Sequence, residues 1–247
     1  MLRLDDKVAV VTGGSRGIGK ALVTAFAENG AHVVVASRKL ENCETLATAV
    51  NAEFGVRALP LRCNVSDWAD CDALVERVYS EFGRVDILVN NAGLSPLYSS
   101  LDEVSEALFD KVIGVNLKGP FRLSALVCTR MAKAGGGVVI NISSVAAIRP
   151  DAQSLPYAAA KSGLNALTEG LAQSFGPSVR VNAIQCGPFL TDIAQAWTAE
   201  TREAAEERIA LRRCGEPHEV VGAALYFASE SSSFCTGAIL RLDGGAA

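Results

Sequence analysis

Residues 7–20 read KVAVVTGGSRGIGK, and this stretch decides the fold. Lys7–Thr12 is a short, β-branched run that is typical of a buried parallel strand, and a helical pattern follows over Lys20–Glu28. A strand, a glycine turn and a helix in this order predict a βα unit that binds a pyrophosphate at the helix N-terminus. Three glycines would allow the tight turn, the close approach of backbone to ligand and the helix packing: Gly13, Gly17 and Gly19. A glycine-rich turn without a ligand is the alternative.

The rest of the chain repeats this strand–helix rhythm. Strands are predicted at His32–Ala36, Val56–Leu61, Val85–Val89, Val138–Ile142, Val179–Ile184 and Ala238–Leu242. Helices are predicted at Leu40–Phe54, from an N-cap at Ser66 to Phe82, twice within Asp102–Ala132, and at Pro156–Phe175 and Pro217–Ala228. The pattern indicates one α/β domain over residues 1–247: a doubly wound, Rossmann-type fold with a seven-stranded parallel sheet and helices on both faces. Residues 190–214 are charged and helical without this rhythm, and we interpret them as a candidate substrate lid.

Composition narrows the function classes. The chain has 247 residues, 49% of them hydrophobic, and a net charge of −4, which is typical of a compact globular protein. It has no basic cluster, so nucleic acid and anionic membrane surfaces are not expected partners. Charges near the N-terminus and the absence of a long apolar run favour a cytoplasmic protein. With seven scattered cysteines and two histidines, we expect neither a metal site nor a Ser-His-Asp hydrolase.

The end of the second predicted strand bears on cofactor choice. A carboxylate there would bind the 2′-hydroxyl of an adenosine ribose, but the chain reads Ser37-Arg38-Lys39. Arg38, helped by Arg16, can instead pair with a 2′-phosphate, so NADP(H) is favoured over NAD(H). Alternatively, Arg38 and Lys39 simply begin a solvated helix. Asn64, after the third strand, is either a partner for the adenine amino group or a turn residue.

The stretch Tyr157-Ala-Ala-Ala-Lys161 places a phenol and an ammonium on one face of a helix. A nearby positive charge favours the phenolate, and a phenol that exchanges a proton suits carbonyl reduction or alcohol oxidation. The alternative interpretation is an exposed Tyr–Lys pair on an amphipathic helix. Asn116 is a polar residue in an apolar helix, and Ser143-Ser144 ends a strand at the sheet edge where ligands bind.

Several motifs together resemble the short-chain dehydrogenase/reductase family over essentially the whole chain. They are T-G-x-x-x-G-I-G at Thr12–Gly19, N-N-A-G at Asn90–Gly93, Asn116, Ser144, Y-x-x-x-K at Tyr157–Lys161, and V-N-A-I at Val181–Ile184 leading to Thr191. Ser144 precedes Tyr157 by the family's usual interval of thirteen residues, so we prefer it to Ser143.

The resemblance implies a role for each catalytic candidate. Tyr157 would exchange the proton with the substrate oxygen, and Ser144 would hydrogen-bond that oxygen. Lys161 would lower the pKa of Tyr157 and bind the nicotinamide ribose, while Asn116 would hold a water of a proton relay. The expected cofactor-binding residues are Gly13, Ser15, Arg16, Gly17, Ile18, Gly19, Arg38, Asn64, Val65, Asn91, Ala92, Gly93, Tyr157, Lys161, Gly187 and Thr191. The expected substrate residues are Leu94, Ser95, Leu97, Tyr98, Ala146, Ile148, Phe189 and Trp197.

The chain departs from the family pattern in three places. Asn64 stands where Asp is usual, which should weaken the adenine contact. Cys186-Gly187-Pro188 replaces the usual Pro-Gly, and Cys186 is either oxidisable or a buried inert thiol. Only Ala246-Ala247 follow Gly245, so we expect no C-terminal extension to complete the pocket.

The predicted activity is an NADP(H)-dependent oxidoreductase that interconverts a carbonyl and a secondary alcohol. The mostly apolar pocket favours an uncharged ketone, and 3-oxoacyl-[acyl-carrier-protein] reductases are the nearest likeness. An acyl-carrier partner would need a basic patch, for which Arg130, Lys133 and Arg149 are candidates. The alternatives are a sugar, polyol or steroid-type alcohol dehydrogenase, and a non-catalytic dinucleotide sensor. The helices around Asn116 and Tyr157 resemble those that pair across subunits in the family, which implies a homotetramer or else a dimer.

Overall fold

The centre of the molecule is a parallel sheet of seven strands, in a computed structural model that describes residues 2–191 and 199–246. The strands are β1 Val8–Thr12, β2 His32–Ser37, β3 Ala58–Arg62, β4 Ile87–Asn90, β5 Gly137–Ser144, β6 Val179–Cys186 and β7 Ile239–Leu242. Their order is β3-β2-β1-β4-β5-β6-β7, and every neighbouring pair is parallel. The strand order reverses between β1 and β4, and ligands of such sheets bind at the carboxyl ends beside this point.

Helices cover both faces of the sheet, as predicted. They are α1 Gly17–Glu28, α2 Leu40–Phe54, α3 Trp68–Phe82, α4 Glu106–Ile113, α5 Gly119–Lys133, α6 Leu155–Phe175, α7 Ala199–Glu207 and α8 Val221–Ala228. Side chains of α1, α2 and α8 form one apolar core around Phe26 and Phe227. Side chains of α3, α5 and α6 form the other, around Leu74 and Leu123. All five residues of β1 are buried between the two cores, which explains its uninterrupted apolar sequence.

The start of α3 lies one residue later than predicted. Ser66 is not its N-cap: the side chain of Asp67 accepts a hydrogen bond from the Asp70 backbone N–H at 2.9 Å. The Ser66 hydroxyl donates instead to Asn64 Oδ1 at 2.9 Å. Local competition for hydrogen-bond partners therefore decides which of two good capping residues begins the helix.

One helical stretch, and not two separate helices, runs from α4 into α5. A π-helical segment, Gly114–Lys118, joins them, and Asn116 lies within it with no exposed surface. Inside an α-helix, such a wide turn often accompanies a functional side chain. Gly119 allows the helix to approach the end of the β3 region, because a Cβ atom there would lie 2.2 Å from the Val65 carbonyl oxygen.

A buried polar network ties α6 to the sheet. Asn90 Nδ2 donates to Asn141 Oδ1 at 2.8 Å and to Ser124 Oγ at 3.0 Å. Asn141 Nδ2 in turn donates to Thr168 Oγ1 on α6 at 2.9 Å. The network holds α6, the helix that carries Tyr157 and Lys161, against β4 and β5, while Asn90 Oδ1 is buried and has no hydrogen-bond partner among the described residues.

The C-terminal strand and tail pack against the residues that follow α7. Ala246 pairs with Ile209 in an antiparallel bridge, and the Leu211 N–H donates to the Gly244 carbonyl oxygen at 3.1 Å. The tail thereby connects the candidate lid to the end of the sheet. Among the described helices, none is long and apolar enough to cross a membrane.

Candidate active site

A large cavity of about 1400 Å³ lies along the carboxyl ends of the strands, around the point where the strand order reverses. All sixteen residues predicted to bind the cofactor line it: Gly13, Ser15, Arg16, Gly17, Ile18, Gly19, Arg38, Asn64, Val65, Asn91, Ala92, Gly93, Tyr157, Lys161, Gly187 and Thr191. Ser144 lines it as well. One space therefore joins the glycine loop to the Tyr157 region.

The glycine loop is built for close contacts. Gly13 and Gly17 have positive φ values of 62° and 52°, a region that glycine adopts without strain. A Cβ atom on Gly19 would lie 2.1 Å from the Gly13 carbonyl oxygen, so only glycine fits there. The loop leads directly into the N-terminus of α1, whose free N–H groups and dipole favour an anion.

Thr12 and Asn91 fix the loop to the end of β4. Thr12 Oγ1 accepts hydrogen bonds from the Asn91 and Ala92 N–H groups at 3.0 and 3.1 Å. Asn91 Nδ2 donates to the carbonyl oxygens of Thr12 and Gly13 at 2.8 and 3.1 Å. The side chain of Asn91 therefore shapes the phosphate loop through its backbone.

The part of the cavity that is predicted to bind the cofactor extends from the glycine loop to the end of β2. Arg38 and Lys39 are exposed and line it, and within the described ranges no carboxylate forms an ion pair with either side chain. Ser37 Oγ accepts from Ser15 Oγ at 3.1 Å, which links this end to the glycine loop. Asn42, in the first turn of α2, also lines the cavity and was not predicted. Its position about one helical turn after Arg38 and Lys39 could have predicted that it lines the cavity.

Tyr157, Ser144 and Lys161 meet in the deeper half of the cavity. Tyr157 and Lys161 lie one turn apart on α6, and Lys161 Nζ is 5.6 Å from the centre of the Tyr157 ring. Ser144 ends β5; its Oγ accepts a hydrogen bond from the Ala146 N–H at 3.2 Å, and the hydroxyl lies near enough to Tyr157 to lower the pKa of the phenol. The neighbouring Ser143 hydroxyl donates to Asn165 Oδ1 at 2.6 Å, so it is engaged away from Tyr157. This geometry supports the choice of Ser144.

Burial controls the proton affinities of this group. Although Tyr157 is half-buried as a residue, its phenol lies deep in the protein, and burial raises its pKa to about 12 against an opposing effect of the nearby Ser144 hydroxyl. Burial lowers the pKa of Lys161 to about 8. The net shift of the Tyr157 pKa is thus upward, and the expected lowering by Lys161 stays a prediction. The ammonium group is directed to the Ile142 carbonyl oxygen, to which it donates at 2.7 Å, and burial dominates at the phenol.

Asn116 does not line the cavity but lies directly behind it. Its Nδ2 donates to the Leu94 and Val112 carbonyl oxygens at 2.9 and 3.0 Å. A Cβ atom on Gly93 would lie 3.1 Å from Asn116 Oδ1 and 3.8 Å from Lys161 Nζ. Asn116 thus holds the loop after β4 in a position where its oxygen and the lysine face the same small space.

Cys186 and Gly187 form the wall beside Ser144. Cys186 pairs with Ser144 in the β5–β6 register, and burial raises the pKa of its thiol to about 12. The thiol is accordingly a buried, unreactive group in this state. A Cβ atom on Gly187 would lie 2.7 Å from Asp243 Cα, so glycine is required for β6 to pass β7 at this point.

The predicted substrate residues divide into three groups. Those that line the cavity are Leu94, Ser95, Leu97, Ala146 and Phe189. Tyr98 and Ile148 do not: the Tyr98 hydroxyl donates to the Ala152 carbonyl oxygen at 2.8 Å and accepts from the Leu155 N–H, and Ile148 is 52% exposed. Trp197 lies outside the described residues. Cavity residues that were not predicted include Pro96, Gln153, Ala204, Ala205 and Arg208.

The basic residues proposed for a carrier protein do not form one patch. Arg130 pairs with Glu76 and stacks over the Tyr79 ring, whereas Arg149 lines the cavity. Lys133 is exposed at the end of α5. No cluster of three or more metal-ligating side chains occurs in residues 2–191 and 199–246.

The residues present fit a nicotinamide dinucleotide. The glycine cradle, in which a Cβ atom would fill the space at Gly13 and Gly19, provides for a pyrophosphate. Arg38 and Asn64 line the end of the cavity nearest β2 and β3, and Tyr157 and Lys161 line the other. The site thus has donors for both ends of such a ligand.

Comparisons with known proteins identify the family of this chain. A family model described as enoyl-(acyl carrier protein) reductase matches residues 13–247. The 3-oxoacyl-[acyl-carrier-protein] reductase FabG of Thermotoga maritima is 37% identical over 99% of this chain and 99% of its own length.

Solved structures of other enzymes have the same fold. A 7α-hydroxysteroid dehydrogenase complexed with NADH and 7-oxo glycochenodeoxycholic acid has a TM-score of 0.94 at 34% identity, covering 99% of this chain and 96% of its own. An NADPH-dependent 3-quinuclidinone reductase from Rhodotorula rubra has a TM-score of 0.94 at 29% identity, covering 99% and 92%. Motifs, fold, site geometry and similarity along the full length agree, and the chain belongs to the short-chain dehydrogenase/reductase family of NAD(P)-dependent oxidoreductases.

Proposed function

We propose that this protein is an NADP(H)-dependent reductase that converts a ketone with apolar substituents, such as a 3-oxoacyl group, into a secondary alcohol. The observation that carries the proposal is the meeting of Ser144, Tyr157 and Lys161 in a cavity whose opposite end presents Arg38. Bound NADPH supplies the hydride, and the chain itself handles the proton and the orientation of the substrate.

The proton chemistry follows from the environment of Tyr157. With its pKa raised to about 12, the phenol is protonated at neutral pH and can donate to a carbonyl oxygen. The Ser144 hydroxyl lines the same part of the cavity as the phenol and can hydrogen-bond the same substrate oxygen. Lys161, with a pKa of about 8, is mostly an ammonium at neutral pH, and its charge favours the phenolate that remains after proton transfer.

The preference for NADP(H) rests on the charge at the end of β2. Arg38 and Lys39 line the cavity there, and a guanidinium can bind a phosphate through two N–H groups. A carboxylate, the group that would favour a 2′-hydroxyl, is missing from the lining of this end as far as the described residues show. Asn64 is engaged with Ser66, so its contribution to adenine binding is expected to be small.

Steady-state kinetics with both cofactors test this preference. We expect wild-type kcat/KM to be higher with NADPH than with NADH, and Arg38→Gln to reduce that ratio by about 10-fold, the equivalent of ~1.4 kcal/mol. Arg77→Gln is the matched control, because Arg77 pairs with Glu81 on α3 and does not line the cavity. A wild-type preference for NADH would refute the proposal.

The proposed class of ketone substrate is inferred from the apolar residues that line the cavity. Leu94, Pro96, Leu97, Val145 and Phe189 form an apolar surface on this wall, which suits an acyl chain or a ring. A screen of NADPH oxidation with 3-oxoacyl thioesters, cyclic ketones, steroid ketones and ketoses tests the class. Turnover confined to ketoses would favour a sugar or polyol dehydrogenase, and binding of NADPH without any turnover would favour a sensor.

Assembly is the last part of the proposal. We infer that the helices carrying Asn116 and Tyr157 pair between subunits of a homotetramer in the cytoplasm. Phe109 on α4 and Phe121 on α5 support this, because they leave 46% and 42% of their surfaces exposed. Size exclusion with light scattering is the test: a tetramer or a dimer agrees with such pairing, and a monomer contradicts it.

A further inference from the structure

Two arginines line the cavity near the C-terminal tail, and one of them, Arg208, belongs to the candidate lid at residues 190–214. Arg149 follows the short turn after β5, and Arg208 follows α7; both are exposed and both line the cavity. They come from parts of the chain that are far apart in sequence, so the fold brings the two positive charges to one opening. Neither has a role in the proton chemistry described above.

The C-terminal tail holds the two arginines near each other. Arg149 Nη1 donates a hydrogen bond to the Ala246 carbonyl oxygen. Ala246 pairs with Ile209, the residue next to Arg208, and the Ala210 N–H donates to the Gly245 carbonyl oxygen at 3.2 Å. One N–H of the Arg149 guanidinium is thus engaged by the tail, which orients the group and leaves its other N–H donors for a ligand.

Among the described residues that line the cavity, one carries a carboxylate. Asp151 also lines the cavity, and its Oδ1 accepts a hydrogen bond from the Gln153 N–H at 2.9 Å, where it caps a helical turn. Within the part of the chain that the structure describes, no carboxylate forms an ion pair with Arg149 or Arg208. The guanidinium groups of Arg149 and Arg208 therefore line the same cavity as the apolar side chains of Leu94, Leu97 and Phe189.

We propose that the substrate carries an anionic group, a carboxylate or a phosphate, which Arg149 and Arg208 bind at the cavity opening while the ketone reaches Ser144 and Tyr157. Guanidinium groups bind both anions through paired N–H donors. The substrate is then amphiphilic, with an apolar segment along Leu94, Leu97 and Phe189 between its two polar ends. This inference rests on the proposed function, and it adds the charge of the substrate to it.

The test compares charged and neutral forms of the same ketone. Calorimetry on the enzyme saturated with oxidised cofactor measures binding of 7-oxooctanoate against its methyl ester, and of 3-oxobutyryl-coenzyme A against the phosphate-free N-acetylcysteamine thioester. We expect at least one anionic member to bind about 10-fold more tightly than its neutral partner. The first pair reports on a carboxylate and the second on a phosphate, so the two sources are distinguished.

Variants assign the preference to the two arginines. Arg149→Gln/Arg208→Gln should remove the roughly 10-fold preference and leave binding of the neutral ligand and of NADPH unchanged. Arg149→Lys/Arg208→Lys should keep part of the preference, and Arg77→Gln, remote from the cavity, should keep all of it. Equal binding of charged and neutral ligands by the wild type, or a preference that survives in the double Gln variant, would overturn the proposal. Because the readout is binding, that result is separate from the absence of ketone turnover, which would refute the proposed function.

Discussion

Lys161→Met should make the protein more stable and inactive. Lys161 is 3% exposed, and burial lowers its pKa from 10.5 to about 8. Since one pKa unit corresponds to about 1.4 kcal/mol, the folded state destabilises this ammonium by roughly 3 kcal/mol. Methionine has a similar shape and no charge, but it loses the hydrogen bond to the Ile142 carbonyl oxygen, which offsets about 1 kcal/mol. The expected net gain in the free energy of unfolding is ~2 kcal/mol at neutral pH.

The pH dependence of that gain has a definite sign. Below about pH 8 lysine is protonated in both the folded and the unfolded state, so the wild type bears the whole penalty. Between pH 8 and 10.5 the unfolded state binds the proton more strongly, so wild-type stability rises with pH relative to the variant. The advantage of Lys161→Met should therefore be largest below about pH 8 and absent by about pH 10.5.

Urea denaturation of both proteins from about pH 7 to pH 10 measures this difference directly, and groups that titrate in both proteins cancel. Lys133→Met is the control, because Lys133 is exposed at the end of α5 and its removal should change stability little at any pH in the range. An advantage that does not change with pH, or a variant that is less stable than the wild type at neutral pH, would show that burial of the ammonium is not the dominant effect. The trade of stability for activity is common at functional sites.

Three further substitutions test other parts of the account. Gly19→Ala places a Cβ atom 2.1 Å from the Gly13 carbonyl oxygen and should weaken NADPH binding by at least about 10-fold in a fluorescence titration. Gly170→Ala is the control, because Gly170 occupies an open position on α6, and it should stabilise the fold by about 0.5–1 kcal/mol. Equal effects of the two substitutions would argue against a tight glycine cradle. Arg180 donates hydrogen bonds to four oxygen acceptors around the end of α8. Arg180→Met should therefore lower the free energy of unfolding, measured by urea denaturation, by about 3 kcal/mol or more. A change below ~1 kcal/mol would contradict the importance of these hydrogen bonds.

Much of the fold and of the site could be predicted because the relevant signals are local. The alternation of short β-branched runs and helices identifies the sheet, and a glycine turn after the first strand identifies the phosphate end. In a parallel sheet all strand ends meet at one edge, so the residues after β1, β4, β5 and β6 had to lie together. The cavity lining, which includes every predicted cofactor residue, follows from this rule.

The features that the sequence did not reveal depend on contacts between distant parts of the chain. Tyr98 follows a strand end and looks like a pocket residue, but its hydroxyl is used by Ala152 and Leu155. Ile148 lies just past the turn after β5, where the chain turns it outward. The pKa of Tyr157 depends on how deeply the phenol is buried, which the spacing of Tyr157 and Lys161 does not reveal. Arg208 reaches the cavity only through the packing of the segment after α7 against the tail.

The central claim is that Tyr157 delivers the proton in reduction of a ketone by NADPH. Single-turnover oxidation of NADPH by Tyr157→Phe, with the best ketone of the substrate screen, tests it most directly. The account predicts a rate about 10²- to 10⁴-fold lower than that of the wild type, because the general acid is removed. The Kd for NADPH should stay within about 3-fold of the wild-type value, because the ring and Lys161 remain. A rate equal to that of the wild type would contradict the claim.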